Sequence, residues 1–375
     1  MTGVRFPLPA HIMKYLFFVQ GEGRGHMTQA LTLKELLESR GHQVVAVIVG
    51  ASPERPLPSF FKEQINVPLF IVDSPAFVMD KRDQGIKILA SVCRVARRLP
   101  RYFSSLKKIK TIVAEYRPDV LVNFYEILAG NYYRFYHDKR PMFCLGHQYF
   151  LNHSSFKFPP GILNRLAIKS YNHLNAPRRA TKIALSFTAE ADEPRKKLIV
   201  CPPLIRRAIK QQAAATGDFI LVYLLNAGYS QEISRWAQAH PDVKIEAFWD
   251  KPNQAETHYG QNLVFHHLSG AKFIDCLAAC RAFVATAGFD SIAEAAYLQK
   301  TILMIPTKNH FEQACNAADA TRANLALSAA NFNLSLVIDK TKTHSSDALR
   351  HFKDWADDYE NKIVAALEKS EKSEK

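Results

Sequence analysis

The chain has 375 residues, 47% of them apolar, and a formal charge of +14. That length exceeds one average domain and is enough for two, each with its own buried core. No apolar run approaches the roughly 18 residues of a membrane-spanning helix. Pro7, Pro9, His11 and Lys14 break up any signal-peptide core, and the six cysteines include no C-x-x-C pair, which points to reduced thiols and a cytoplasmic protein.

Residues 1–12 carry two prolines and read as dispensable, which makes Met13 an alternative start to Met1. KYLFFVQ (14–20) is a short apolar run, a buried strand that ends at glycine. HMTQALTLKELLESRG (26–41) has helical apolar spacing stopped by Gly41, and QVVAVIVG (43–50) is a second buried strand. A strand–loop–helix–strand unit implies a parallel sheet. Further strands are expected at 66–73, 118–124, 141–147 and 182–187.

The stretch from Lys81 to Lys110 holds ten Lys/Arg against one acid, and Leu151–Lys182 holds six against none. The first alternates Ile, Leu and Val with basic residues. It is either a helix with a solvated basic face or an interfacial segment for anionic lipid through Arg94, Arg97, Arg98 and Arg101. Nucleic acid would attract the same charge.

After a polar and proline-rich linker, EADEPRKK (190–197) and CPPLIRR (201–207), the pattern starts again. Strands are expected at 217–228, 243–249, 262–268, 281–288 and 300–306, with helices at 230–240, 289–299 and 311–324. A helical stretch at 345–368 precedes a tail, 369–375, with the composition of disorder. The expected architecture is therefore α/β: two doubly wound Rossmann-like domains, 13–190 and 191–344, facing each other across a cleft. Ligands of such sheets sit at the carboxyl ends of the strands.

Two glycine turns lie at those ends. Gly21, Gly23 and Gly25 form G-x-G-x-G-H, but the dinucleotide fingerprint needs its third glycine where His26 stands, and no G-K-[ST] of a P-loop follows. The loop can admit an anion to the helix start, or it is a tight turn alone. In TAGFDSIAEAA (286–296), Ser291 and Glu294 have capping-box spacing. In HFEQACNA (310–317), Gln313 and Asn316 share a helix face, which by itself would be solvated.

Together, GEGRGH, CPPLIR, GDFILVYLL and TAGFDSIAEAAYLQKTILMIPTKNHFEQACNA resemble the GT-B glycosyltransferases. The lineage they resemble is that of the peptidoglycan UDP-N-acetylglucosamine transferase and monogalactosyldiacylglycerol synthase, in an uncharacterised bacterial branch. The resemblance implies that Gly288 and the helix start at Phe289, Asp290 and Ser291 cradle a donor diphosphate. It implies that Glu294 holds the ribose, that Gln313 and Asn316 meet the donor sugar or its phosphate, and that Ala227 and Gly228 line the same pocket. His26 falls on the acceptor side, with Glu126 and His147, each after a first-domain strand, as competing candidates for the base. Glu22 and Arg24 inside the first loop, and a single glycine at 288 instead of a pair, depart from the better-known pattern. There is no D-x-D metal motif, and the implied donor is a nucleotide sugar with neither metal nor cofactor.

The expected function is an inverting, metal-independent glycosyltransferase. It would use a nucleotide sugar, UDP-linked, and a lipid or lipid-linked acceptor at the inner face of the cytoplasmic membrane. The alternatives are a UDP-sugar epimerase of the same fold and a basic, non-catalytic nucleic-acid-binding protein. A folded α/β chain with glycine loops at both sheet edges speaks against the last.

Overall fold

The computed structural model describes residues 12–52, 57–75, 88–224, 227–249, 256–267, 270–340 and 346–368. Residues 1–11, the start of the basic stretch (81–87) and the expected tail lie outside them. The first half runs β1 (Lys14–Gln20), α1 (Arg24–Ser39), β2 (Gln43–Ala51), α2 (Ser59–Ile65), β3 (Leu69–Asp73), α3 (Ile88–Tyr116), β4 (Val120–Phe124), α4 (Ile127–Phe135), β5 (Met142–Gly146), α5 (Ile162–Asn175), β6 (Thr181–Leu185) and β7 (Leu198–Cys201). The second half runs α6 (Arg207–Lys210), β8 (Phe219–Leu224), α7 (Ser230–Ala239), β9 (Lys244–Trp249), β10 (Thr257–Tyr259), β11 (Leu263–His267), α8 (Gly270–Ala279), β12 (Ala282–Thr286), α9 (Phe289–Tyr297), β13 (Thr301–Ile305), α10 (Phe311–Arg322), β14 (Leu327–Ser328), α11 (Ser335–Lys340), α12 (Ser346–Asp357) and α13 (Tyr359–Glu368).

Each half forms one seven-stranded sheet, β3-β2-β1-β4-β5-β6-β7 and β10-β11-β9-β8-β12-β13-β14. Every pairing is parallel except β10 with β11. Helices cover both faces, so strands such as β4, β5 and β12 are buried along their whole length and read as continuous apolar runs. Strand alternation assigns Phe17 and Val19 to the face under α1, and Leu16 and Phe18 to the face under α3 and α4. In both sheets the strand order reverses beside the first strand, at β1/β4 and at β8/β12. These switch points open crevices at the carboxyl ends.

The expected boundary at residue 190 is corrected. Leu198–Cys201 pairs in parallel with β6 as the seventh strand of the first sheet, so the first domain continues to Cys201 and EADEPRKK is a turn inside it. The signal was the apolar LIVC run after that polar turn. The connection between domains is the proline-rich segment that follows. The expected single helix at 345–368 is two helices, α12 and α13, with a break at Asp358. Trp355 on α12 donates to the Ser186 carbonyl at 3.0 Å, while Tyr297 on α9 donates to Asp357 at 2.6 Å. The C-terminal segment thereby touches both domains. One apolar cluster runs through both as well, from Met27, Ala30 and Leu33 of α1 to Phe289, Ile292 and Ala293 of α9.

Candidate active site

The loop after β1 is held close to the sheet. Gly21 N–H donates to Gly50 O at 2.8 Å, and a Cβ at Gly21 would come within 2.7 Å of that oxygen. Gly23 precedes α1 in extended geometry with open space around it, so α1 begins at Arg24 and His26 is its third residue. Gly25 packs face to face with the second domain, and any Cβ there would overlap the Asp290 carboxylate. The two glycine turns therefore meet across the interface.

His26 sits at this meeting point, 8% exposed. Its ring stacks on Tyr125 at 5.6 Å. Nδ1 lies 3.4 Å from Gln29 Oε1 and Nε2 lies 3.3 Å from Gln148 Nε2. Since the amide donates to Nε2, the ring proton belongs on Nδ1, and Nε2 carries the lone pair. Gln29 Nε2 donates to Asp290 Oδ1 at 2.8 Å, and Gln148 Nε2 also donates to Glu312 Oε1 at 2.9 Å. A continuous polar chain, Asp290–Gln29–His26–Gln148–Glu312, thus runs from α9 through the histidine to α10. Burial lowers the His26 pKa, while Glu312 and Gln29 act in the other direction. Burial thus favours the neutral imidazole.

Tyr125 is a bulky residue with φ 61°, a costly backbone geometry that the surroundings must impose. Its hydroxyl donates to Asn172 Oδ1 at 2.5 Å, and Asn172 Nδ2 donates to Gln148 O at 2.6 Å. The next residue, Glu126, caps α4 by accepting from Leu128 N–H at 3.0 Å, and accepts from Ser74 Oγ at 2.6 Å. Burial pushes its carboxyl up to about 7, with these two hydrogen bonds opposing and Glu22 of the glycine loop adding to the rise. Only a glycine at position 50 leaves room for this carboxylate. Glu126 therefore works as a cap in this structure, and its protonation equilibrium lies near neutrality.

His147 does not end a strand facing open cleft. It begins a 3-10 turn, His147–Asn152, is 1% exposed, and stacks on Phe289 at 4.2 Å and 11°. Its Nδ1–H donates to Leu185 O at 2.8 Å; Nε2 faces Asp319 Oδ2 at 3.7 Å, and neither of these two atoms has a hydrogen-bond partner among the described residues. Burial lowers its pKa. His147 packs the domain interface and cannot meet an acceptor while the domains are together.

In the second domain, the expected capping box does not form. α9 starts at Phe289, its cap is Gly288, and no side chain makes the cap hydrogen bond. Ser291 makes no cap, and Glu294 instead receives Arg206 Nε and Nη2, both at 2.6 Å. Arg206 is the last residue of CPPLIR. Asp290, half-buried and bonded by Gln29, has its carboxyl pushed up to about 7, by desolvation first of all. Asn316 Nδ2 donates to Ala287 O at 2.9 Å and so pins the Gly288 turn, leaving its buried Oδ1 without a partner. Gln313 folds back to accept from Thr307 N–H at 2.8 Å, with His310 capping α10. Ala227 and Gly228 fall in a 3-10 turn, Ala227–Tyr229, after β8. Gly288 follows the end of β12 and is pinned by Asn316, Gln313 holds the turn after β13, and Asp290 lies against Gly25. Among the described residues no group of three or more His, Cys, Asp or Glu could hold a metal ion.

The arginines expected to face a membrane are mostly engaged. Arg94 donates to Ser52 at 2.9 Å, and Arg98 and Arg101 each lie 3.8 Å from Asp73. They tie α3 to the ends of β2 and β3. Arg97 is exposed without an ion pair among the described residues. Sequence reasoning missed Gln29, Glu312, Asp319, Arg206 and Tyr125. Gln29 had a weak signal, being one helical turn from His26. The others gain meaning only from contacts across long sequence separations.

The family described as "Glycosyl transferase family 1" matches residues 13–340. No curated protein matches the chain. Solved structures superpose over nearly the whole length. The glycosyltransferase of kitacinnamycin is 14% identical, covering 96% of this chain and 99% of its own, with a TM-score of 0.62. The glycosyltransferase SnogD from Streptomyces nogalater is 16% identical, covering 95% and 99%, with a TM-score of 0.59. The spinosyn rhamnosyltransferase SpnG complexed with thymidine diphosphate is 13% identical, covering 95% and 100%, with a TM-score of 0.62. At such identities the likeness carries the fold, two facing Rossmann-like domains of the GT-B type.

Proposed function

Because the chain belongs to glycosyl transferase family 1 and is a glycosyltransferase, we propose that it moves a sugar from a UDP-sugar to a lipid or lipid-linked acceptor with inversion and without a metal, close to the lineage named from its sequence. The observation that carries this reading is the juxtaposition at Gly25 and Asp290. It brings a histidine lone pair from one domain beside a helix start of the other that no side chain caps. The α9 N-terminus, with Gly288 as its cap, offers backbone N–H groups and a positive dipole to a diphosphate. The spinosyn enzyme's thymidine diphosphate supports a nucleoside diphosphate as the leaving group.

The acceptor hydroxyl takes the place of the Gln148 amide at His26 Nε2 and gives up its proton there as its oxygen attacks the anomeric carbon. The bond from that carbon to the diphosphate oxygen breaks on the opposite side, and its electron pair leaves with the nucleoside diphosphate. The imidazolium that forms is stabilised by Gln29 Oε1 and by the charge of Glu312, both already in place. Glu294 receives the ribose hydroxyls on the lone pairs that Arg206 does not use.

A membrane-borne acceptor is supported by where apolar side chains lie exposed. Leu99 and Phe103 on α3, Phe135 on α4, and Ile162, Leu163, Leu166 and Leu174 on α5 are 45–81% exposed. They belong to one helical layer on one face of the first sheet, within the basic half of the chain. No helix among the described residues is long and apolar enough to cross a membrane, so the proposed association is peripheral, on the inner face of the cytoplasmic membrane.

Calorimetry with UDP and with thymidine diphosphate, followed by incubation of the better UDP- or thymidine-diphosphate-linked sugar with lipid extract, tests the proposal. Tighter binding of UDP and a glycosylated lipid are expected. Release of a new UDP-sugar without any acceptor would instead establish an epimerase, and preference for thymidine diphosphate would remove the UDP assignment.

A further inference from the structure

A second basic site lies at the opposite edge of the first domain. A cavity of about 510 Å³ opens where β6 and β7 begin. Cations reach it from four segments: Lys169 on α5, Arg178 in the loop after α5, Lys182 at the start of β6, and Arg195, Lys196 and Lys197 in the turn before β7. No carboxylate lines it. Asn152 and Asn172 line it as well, and Asn172 also bonds Tyr125 and Gln148, so the cleft lies behind that network and opens away from the domain interface.

The cations are crowded and aimed. Lys182 Nζ is anchored by the carbonyls of Ala180 and Lys196, at 3.3 and 2.7 Å, which leaves its third N–H for a ligand. Lys196 Nζ is placed by Asn152 O at 2.9 Å and Glu193 at 2.8 Å. Arg178 and Arg195 are exposed and have no ion pair among the described residues. Burial first of all lowers the Lys169 pKa, and the nearby charges of Arg165 and Lys196 lower it further. The carbonyl end of α5, which would repel an anion, is blocked because Arg134 donates to both Leu174 O and His173 O. Like charges held this close in a concave wall, with only Lys196 paired to an acid, Glu193, among the described residues, are relieved by a compact anion carrying several acceptor oxygens.

We propose that this cleft binds a phosphate group, separately from the sugar-transfer site. The group belongs either to a lipid headgroup, which the neighbouring exposed leucines of α5 would favour, or to a soluble phosphorylated compound. The proposal does not depend on which sugar or acceptor the enzyme uses.

The test is a backbone-amide chemical-shift titration of the full chain with inorganic phosphate, against chloride at matched ionic strength. Saturable shifts at Lys182, Arg195 and Lys197 with phosphate alone are expected. Arg178→Glu with Arg195→Glu should weaken phosphate about a hundredfold, as loss of two charge-assisted contacts implies, while Arg178→Lys with Arg195→Lys retains it. UDP affinity should be the same in all. Shifts that follow ionic strength equally in chloride, or that persist in the glutamate pair, overturn the proposal. Flotation with phosphatidic acid vesicles, against phosphatidylcholine, then separates the sources. Binding lost in the glutamate pair assigns the site to a lipid headgroup, and vesicle binding indifferent to the pair assigns it to a soluble phosphate.

Discussion

Gln29 on the first helix donates to Asp290 on the ninth at 2.8 Å, across 261 residues of sequence. This bond is one of those that couple the two domains, and it orients the histidine between them, because the same Gln29 carries Oε1 to His26 Nδ1. Gln29→Ala should take this partner from the buried His26 ring and the half-buried Asp290 carboxylate, at about 1–3 kcal/mol of stability. Denaturant unfolding measures the loss, and kcat should fall with it because the imidazole is no longer held. An unchanged kcat in a folded variant would detach Gln29 from the chemistry.

Gly25→Ala poses a sharper question. In a helix, alanine is better than glycine by about 1 kcal/mol, so the first domain alone should gain. The new Cβ collides with the Asp290 carboxylate, so the domains should separate. Small-angle scattering should show a larger radius of gyration, kcat/KM should drop, and unfolding stability should fall as the apolar cluster shared by α1 and α9 is exposed. A compact and active Gly25→Ala enzyme would mean the close approach is not required.

His26→Ala tests the base. A positioned general base contributes roughly 10²–10⁴-fold, so kcat should fall by about that factor with UDP affinity unaltered. Glu126→Gln, which keeps the cap geometry on Leu128, should leave kcat within about tenfold. The reverse ranking would transfer the role to Glu126.

The Arg206–Glu294 pair separates ribose binding from structure. Arg206→Ala strands a buried carboxylate and should cost about 3–5 kcal/mol of stability. Glu294→Gln keeps the shape and should cost less in folding, while UDP binding weakens by about 1.5–3 kcal/mol, the range for a hydrogen bond to a charged group. Calorimetry showing wild-type UDP affinity for folded Glu294→Gln would leave Glu294 a partner of Arg206 only.

The pH dependence of stability follows from two raised carboxyls. Asp290 and Glu126 each titrate near 7 in the folded chain, above their ordinary values of 3.8 and 4.5. The folded state therefore binds more protons, and its stability falls as pH rises from about 4 to 7. The lowered pKa values of His26 and His147 act oppositely, removing stability as pH falls below 6.5. Asp290→Asn and Glu126→Gln should thus gain melting temperature relative to the parent at pH 8 and lose that advantage at pH 4. Parallel melting curves across that range would show that these carboxyls are not raised.

Local pattern was enough for most of the architecture. β1 is legible because KYLFFVQ is apolar on both faces, α1 because Met27, Ala30, Leu33 and Leu37 recur at helical spacing, and the second domain because the same grammar restarts at Phe219. The glycine turns were legible too, since only backbone freedom at a strand end explains G-x-G-x-G-H. Register and contact were not. LIVC at 198–201 is a strand of the first sheet only because β6 lies there to pair with it, a fact outside its own neighbourhood. Ser291 and Glu294 have the spacing of a capping box, yet a bidentate Arg206 reaching from the linker outcompetes a backbone N–H for that carboxylate. His147 and Glu126 are chemically equal to His26 as candidates on paper. Tertiary packing separates them, burying the first against Phe289 and committing the second to Ser74 and a helix cap. Sequence settles which backbone shapes are cheap and which faces must be buried, because those energies are local. Which polar groups meet is decided by folding, because hydrogen bonds and ion pairs act between residues that sequence separates and only the packed domains bring together.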